Sequence, residues 1–230
     1  MYGYLMHHGI KGQKWGIRRY QNADGTLTAA GKLRYSSVKY ARLVRKDAEK
    51  RIEKISSDVI SSAKASGSTM YGLENKLKTE SSIRRKIDKK SIEDNLPPEL
   101  GAKDIKDAIR FTTISDDANF VKNYNSFKDI LSKKGYKEVK CKNYFDEYRK
   151  GKVKHKAVQS IFMGKDGYQF EIQFQTPASQ KAKDKKVPIY EERRQVGISK
   201  DRAEKLERQM DILAKQVPDP KNIYTIKSHN

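Results

Sequence analysis

The chain of 230 residues is long enough for one medium domain with an extension, or for two small domains. Its composition, 36% hydrophobic and 34% charged, is lean but globular, and its formal net charge of +21 suits a polyanionic partner: nucleic acid, a nucleotide triphosphate or an anionic surface. Cys141 stands alone, so no intrachain disulfide is possible; structural zinc is not expected, no stretch approaches the roughly 20 apolar residues of a membrane span, and a soluble protein of a reducing, cytoplasmic compartment is the expectation.

Residues 1–35 are rich in Gly, Tyr, His and Arg and keep no helical or strand period. Asn22-Ala-Asp-Gly25 is a turn signal, and Thr28 could cap a short helix before Gly31. Over 36–64 the apolar residues Ala41, Val44, Ala48, Ile52, Ile55 and Val59 recur at steps of three and four, which predicts one basic amphipathic helix. Ala65 to Thr69 breaks that pattern as a linker or sharp turn, so that 36–72 reads as helix and linker. From residue 73 the texture becomes mixed. Helix is predicted over 73–94, a strand over 109–114, and a helix carrying Phe120, Tyr124, Phe127 and Leu131 that stops at Gly135-Tyr136. A strand over 136–141 follows. Two more strands, 157–163 and 168–176, flank Gly164-Lys-Asp-Gly167, a hairpin signal, and helices are predicted over 178–194 and 199–216, the last capped by Ser199. This order predicts an α+β domain over 73–230, with a mixed, mostly antiparallel sheet flanked by helices.

The strand over 168–176 carries the most chemistry. Phe170, Ile172 and Phe174 share one face, and Gln169, Glu171, Gln173 and Gln175 share the other. One carboxylate among three amides can hold a ligand, bind a metal or take a proton; an exposed sheet face would give the same alternation. A second group is Lys76, Lys78, Arg84, Arg85 and Lys86 on the predicted 73–94 helix, followed by Asp107 and Arg110. Cations beside carboxylates suit a magnesium-triphosphate site, while Asp107 and Arg110 taken alone could be a surface ion pair. No phosphate-binding glycine loop is present.

These residues resemble, in order, the motifs of RelA/SpoT-type nucleotide pyrophosphokinases, the small alarmone synthetases and toxin-like relatives. Glu171-Ile-Gln-Phe-Gln-Thr176, followed by Pro177-Ala-Ser179, Lys183 and Tyr190-Glu-Glu-Arg193, resembles the family's acidic strand and its tail. Lys76-Leu-Lys78 with Ser82-Ile and Lys86 resembles the ATP-binding helix, with Lys76 where the family has Arg. Asp107-Ala-Ile-Arg110 resembles the element leading into the first strand, Gly135-Tyr136 the Gly-Tyr after the next helix, and His155-Lys156 the segment where the family stacks a Tyr on the acceptor base.

The resemblance implies a RelA/SpoT synthetase-like nucleotidyltransferase fold and a magnesium-dependent reaction. Pyrophosphate would move from ATP to the 3′-hydroxyl of a purine nucleotide, or of a tRNA end. Glu171, Asp107 and Arg110 would be catalytic, with Asp107 and Glu171 holding Mg2+. Lys76, Lys78, Ser82, Lys86, His155, Lys156, Gln173 and Thr176 would bind nucleotide. Where the long enzymes of the family carry an Asp five residues before the Arg, this chain has Ile105. The hydrolase half of those enzymes has no counterpart here.

The segment from His7 to Gly31 resembles one found in phage head-associated and mobile-element proteins. As a basic arm dotted with Trp15 and Tyr20 it could grip nucleic acid, dock on a phage capsid, or be a poorly ordered terminus. Two readings follow: a phage- or element-borne synthetase or toxin in a bacterial cytoplasm, and a catalytically inactive virion-associated or nucleic-acid-binding protein.

Overall fold

The computed structural model describes residues 20–22, 24–194 and 197–230. It divides into two compact units, one comprising the described residues up to Val44 with Thr79–Ile105, the other Arg45–Lys78 with Lys106–Asn230. The elements are, in chain order, α1 (Ala29–Glu49), α2 (Ile52–Ser66), β1 (Thr69–Tyr71), α3 (Glu80–Glu93), α4 (Pro98–Lys103), β2 (Arg110–Ile114), α5 (Phe120–Lys133), β3 (Lys137–Asn143), α6 (Tyr144–Arg149), β4 (Val158–Met163), β5 (Gln169–Gln175), α7 (Pro177–Arg193) and α8 (Lys200–Lys215). The molecule is α+β, as the element order predicts.

The larger unit is built on a five-stranded sheet of order β1-β2-β5-β4-β3. β1–β2, β5–β4 and β4–β3 pair antiparallel; β2–β5 is the parallel pair. Strand alternation gives the sheet one apolar face, because Phe111, Phe162, Phe170, Ile172 and Phe174 are all buried. The apolar stripe of α5 closes over it. Phe127 meets Phe174 edge-on at 5.3 Å between ring centroids, and Tyr124 meets the same ring at 4.9 Å. α2 packs beside α5, with Ile55 and Val59 buried. The β4–β5 hairpin turns at Gly167, whose φ of +78° is the left-handed value the Asp-Gly signal anticipates.

The open edge of β3 is covered by the segment after α8. His229 pairs with Cys141 through two backbone hydrogen bonds, and the Asn143 amide donates to the carbonyls of Ile223 and Ile226 at 2.9 and 3.0 Å. In the smaller unit α3 and α4 pack on each other. Ile83 and Ile87 are fully buried, and Gly101 lies close enough to the Ile87 carbonyl that an added Cβ would sit 3.4 Å from it.

Three local expectations are corrected. The 36–64 helix is two helices, and the first begins at Ala29 and runs through Gly31; the Thr28 hydroxyl accepts from Gly31 N–H at 3.1 Å. The break falls at Lys50 and Arg51. There Arg51 N–H closes an i→i−3 turn on Ala48, while its guanidinium binds Asp47 and Asp166 and lies over the Tyr168 ring. Of the linker or sharp turn expected over 65–69 the structure has the turn, followed by an edge strand: Gly67, at φ +80°, ends α2, and Thr69–Tyr71 pairs with β2. Finally, Lys76 and Lys78 do not lie on a helix. Thr79 caps α3 by accepting from Ser82 N–H, so the helix starts only at Glu80. A 3-10 turn over Leu73–Asn75 ends at Lys76, and the residues after it prolong the pairing of β2: Lys78 N–H donates to the Ala108 carbonyl at 2.9 Å, and Arg110 N–H to the Lys76 carbonyl at 2.8 Å.

Candidate active site

On the face of β5 opposite the aromatic core stand Glu171, Gln173 and Gln175. Their neighbours are fixed by register. Parallel pairing sets Arg110 beside Glu171 and Thr112 beside Gln173, while antiparallel pairing sets Gln159 of β4 on the other side of Gln173. Side chains paired across strands share a face, so Arg110, Glu171, Gln173 and Gln159 form one polar patch drawn from three strands. The Glu171 N–H donates to the Ile109 carbonyl at 3.1 Å, which brings the segment bearing Asp107 to the same end of the strand pair. Asp107 is buried and ion-paired with Lys78.

The electrostatics of this patch follow from its composition. Burial raises the Glu171 carboxyl above the usual carboxylate range, and the nearby charge of Asp107 raises it further; Arg110, the Gln173 amide and Lys78 act against them. Lys78 and Arg110 already balance the two carboxylates in charge, so a divalent ion held there would be matched by the negative charge of its phosphate ligands. Magnesium is commonly held by one or two carboxylates with its other positions filled by water and phosphate, and Asp107 with Glu171 fits that demand. Among the described residues no group of three or more metal-binding side chains occurs, so such an ion would draw on its substrate for ligands.

From Glu171 a polar relay runs into α7. The Gln173 amide donates to Glu171 Oε1 at 2.6 Å, and Lys183 Nζ donates to Gln173 Oε1 at 2.6 Å. α7 is positioned for this by a reciprocal cap, in which Thr176 Oγ1 accepts from Ser179 N–H and Ser179 Oγ accepts from Thr176 N–H. Ser179 Oγ also donates to the side chain of Gln175 at 2.5 Å. Above the relay opens a cleft of about 660 Å³, lined among others by Arg110, His155, Gln159, Gln173, Lys183 and Lys186. Burial lowers Lys183 to about 8, with Arg110 contributing, and lowers Lys186 to about 8 as well. Burial likewise lowers His155 to about 4, aided by Lys186 and Lys183, so the imidazole is neutral at pH 7. Its ring lies against Tyr144, 4.2 Å between centroids and tilted by 45°.

Small alarmone synthetases are among the similar solved structures. Small alarmone synthetase 2 of Bacillus subtilis has 17% identity and a TM-score of 0.47, over 75% of this chain and 89% of that one. Small alarmone synthetase 1 of the same organism, bound to its product pppGpp, has 15% identity and a TM-score of 0.42, over 64% and 71% of the two chains. A complex of the Type VI effector Tas1 with its immunity protein matches at 15% identity and a TM-score of 0.44, over 80% and 96%. No family model matches the chain, nor does any curated protein. The likenesses are distant.

The structure gathers Lys78, Asp107, Arg110, Glu171 and Gln173 at one place, with His155 on the adjoining cleft. The other expected nucleotide contacts lie elsewhere or are engaged within the protein. Thr176 is fully buried as the cap of α7. Lys156 also lines the cleft, but its ammonium is engaged by the Val217 carbonyl and by Asp219, both at 2.7 Å. Ser82 and Lys86 lie on α3 in the smaller unit, and Arg84 of the same helix is paired with Asp88 at 2.9 Å. Lys76 lies in the larger unit, at the end of a short 3-10 turn over Leu73–Asn75, where its carbonyl accepts from Arg110 N–H. Lys186 is a site cation that the sequence reading does not single out, and Lys183 enters that reading only as part of the family-like tail, without a role. In the run Lys181 to Lys186 four of six residues are lysines, and only burial tells them apart. Of the basic arm expected over 1–35, residues 1–19 lie outside the described residues; in the remainder Arg34 lies over the Tyr20 ring, and residues 29–35 begin α1. Among the described residues no helix is long and apolar enough to cross a membrane.

Proposed function

We propose that this chain is a nucleotide pyrophosphokinase, moving the β,γ-pyrophosphate of ATP to the 3′-hydroxyl of a purine nucleotide. The observation that carries the reading is the pair of neighbouring carboxylates Asp107 and Glu171, flanked by Lys78 and Arg110, with Arg110 and Gln173 of the same patch lining the cleft that holds Lys183 and Lys186. Asp107 and Glu171 would hold magnesium, which when bound offsets the charge of the triphosphate. Glu171, held above the usual carboxylate range, is a better proton acceptor than a solvated carboxylate and takes the proton of the 3′-hydroxyl. The 3′-oxygen forms its bond to the β-phosphorus as the bond from that phosphorus to the α-phosphate oxygen breaks, and AMP leaves. Lys78 and Arg110 offset the charge that gathers on the phosphates. Gln173, held by Lys183, fixes the Glu171 carboxylate. Such a reaction is served mainly by positioning and preset charge.

The test is incubation with magnesium, γ-labelled ATP and, separately, GDP, GTP, ADP, AMP and uncharged tRNA. Label is expected on a nucleotide acceptor and is expected to be lost in Glu171→Gln, whose melting temperature should match the parent. Transfer to tRNA alone would replace the nucleotide acceptor by an RNA end. No transfer to any acceptor, or full activity in Glu171→Gln, would overturn the assignment.

A further inference from the structure

A second recess lies within the larger unit, where the α1–α2 corner, the end of α5 and the β4–β5 turn meet. Its volume is about 330 Å³, and its lining carries five cations, Lys50, Arg51, Lys54, Lys134 and Lys165, against one carboxylate, Asp166. The acids at hand are already engaged. Asp166 accepts from Arg51 at 2.9 Å, and Asp58 accepts from the Tyr136 hydroxyl at 2.9 Å and from Lys134 at 3.2 Å. Lys50, Lys54 and Lys165 make no ion pair among the described residues. Three like charges round one hollow repel each other, an arrangement relieved by an anion between them.

The recess is shaped as well as charged. Gly135, at φ +92°, lets the Lys165 chain cross so closely that an added Cβ would lie 2.7 Å from its Cε. Its two aromatic rings are already engaged within the protein. Arg51 covers Tyr168 at 4.8 Å, and Tyr136, buried, stands edge-on to Phe170. Charge is therefore the recognition element, and the converging cations suit a compact, highly charged anion.

We infer that this recess binds a compact polyphosphate group, free or carried on a nucleotide, at a site separate from the cleft beside Glu171. The inference does not rest on the proposed reaction. Inorganic triphosphate is the probe, titrated calorimetrically into the full chain and into two variants. Lys54→Gln/Lys165→Gln changes exposed residues only and should keep its melting temperature. It is expected to weaken one binding event by about tenfold or more, the loss of two close charge contacts. Lys183→Gln, in the other cleft, should leave that event in place. Lys50→Gln alone is the second recess variant should the double variant fail to fold, and should weaken the same event less. ATP that competes for the same event would mark a nucleotide source of the phosphate, and ATP that does not would mark the free polyanion. Unchanged binding in the recess variants, loss only in Lys183→Gln, or no binding at all would overturn the assignment. So would tighter binding of a single-stranded RNA that depends on Lys54 and Lys165, which would make the recess part of a strand-binding surface.

Discussion

Lys183 is a cation of the cleft whose charge state is set by burial. An ammonium lowered to about 8 is charged below that pH and neutral above it. If its charge serves phosphate binding, turnover should fall as pH rises through about 8. Glu171 is shifted the opposite way, above the usual carboxylate range, and must be ionised to accept a proton, so turnover should also fall on the acid side. The expected profile of kcat/KM is a bell. In Lys183→Arg the basic limb should move to higher pH, because a guanidinium stays charged, and an unmoved limb would exclude Lys183 as its source. His155 should leave no inflection near its ordinary value, since its surroundings hold it near 4.

The β5 strand serves two purposes on its two faces. Phe174 lies between Tyr124 and Phe127 and is almost completely buried. Phe174→Ala should cost about 3–5 kcal/mol of stability, measured by denaturant unfolding, because it removes a ring from a closed core. The next strand pair depends on a different device. The segment between β3 and β4 is tied to the end of the chain by Lys156, whose side chain is 8% exposed and bonded to Val217 and Asp219. Lys156→Met keeps the stem and removes the charge, and should lower stability by about 0.5–1.5 kcal/mol, the usual net contribution of a hydrogen bond whose partners can turn to water. If Lys156 were instead a nucleotide contact, the variant would raise KM and leave the unfolding midpoint unchanged.

Over the whole molecule the net charge of +21 acts as a field on any phosphate-bearing ligand. Raising ionic strength from about 0.05 M to about 0.5 M shortens the screening length to a few ångströms, so KM for ATP should rise severalfold while kcat changes little. A salt-independent KM would mean that only the buried cations count. Two features of the site were legible in the residues alone. Strict alternation from Phe170 to Gln175 marked one face for the core and one for chemistry, because a half-buried strand leaves that period in any sequence. The Asp-Gly hairpin was legible because its turn depends on two adjacent residues. The break at Lys50 and Arg51 was not, since it is associated with partners, Asp166 and Tyr168, more than a hundred positions away. The run Lys76 to Lys78 read as helix because its composition is helical; pairing with the start of β2 overrode that preference.

By itself the sequence determined the α+β class, most of the element order, the polar face of β5 and the cationic character of the chain, all of which depend on local period or on total charge. Tertiary structure alone decided that Arg110 stands beside Glu171, that Asp107 lies near enough to raise its pKa, and that Lys183 rather than its neighbouring lysines reaches the relay. Those facts come from a parallel register between strands some sixty residues apart and from burial on one side of α7. Neither leaves a periodic trace in the chain, because both arise from contacts between residues that are distant in sequence.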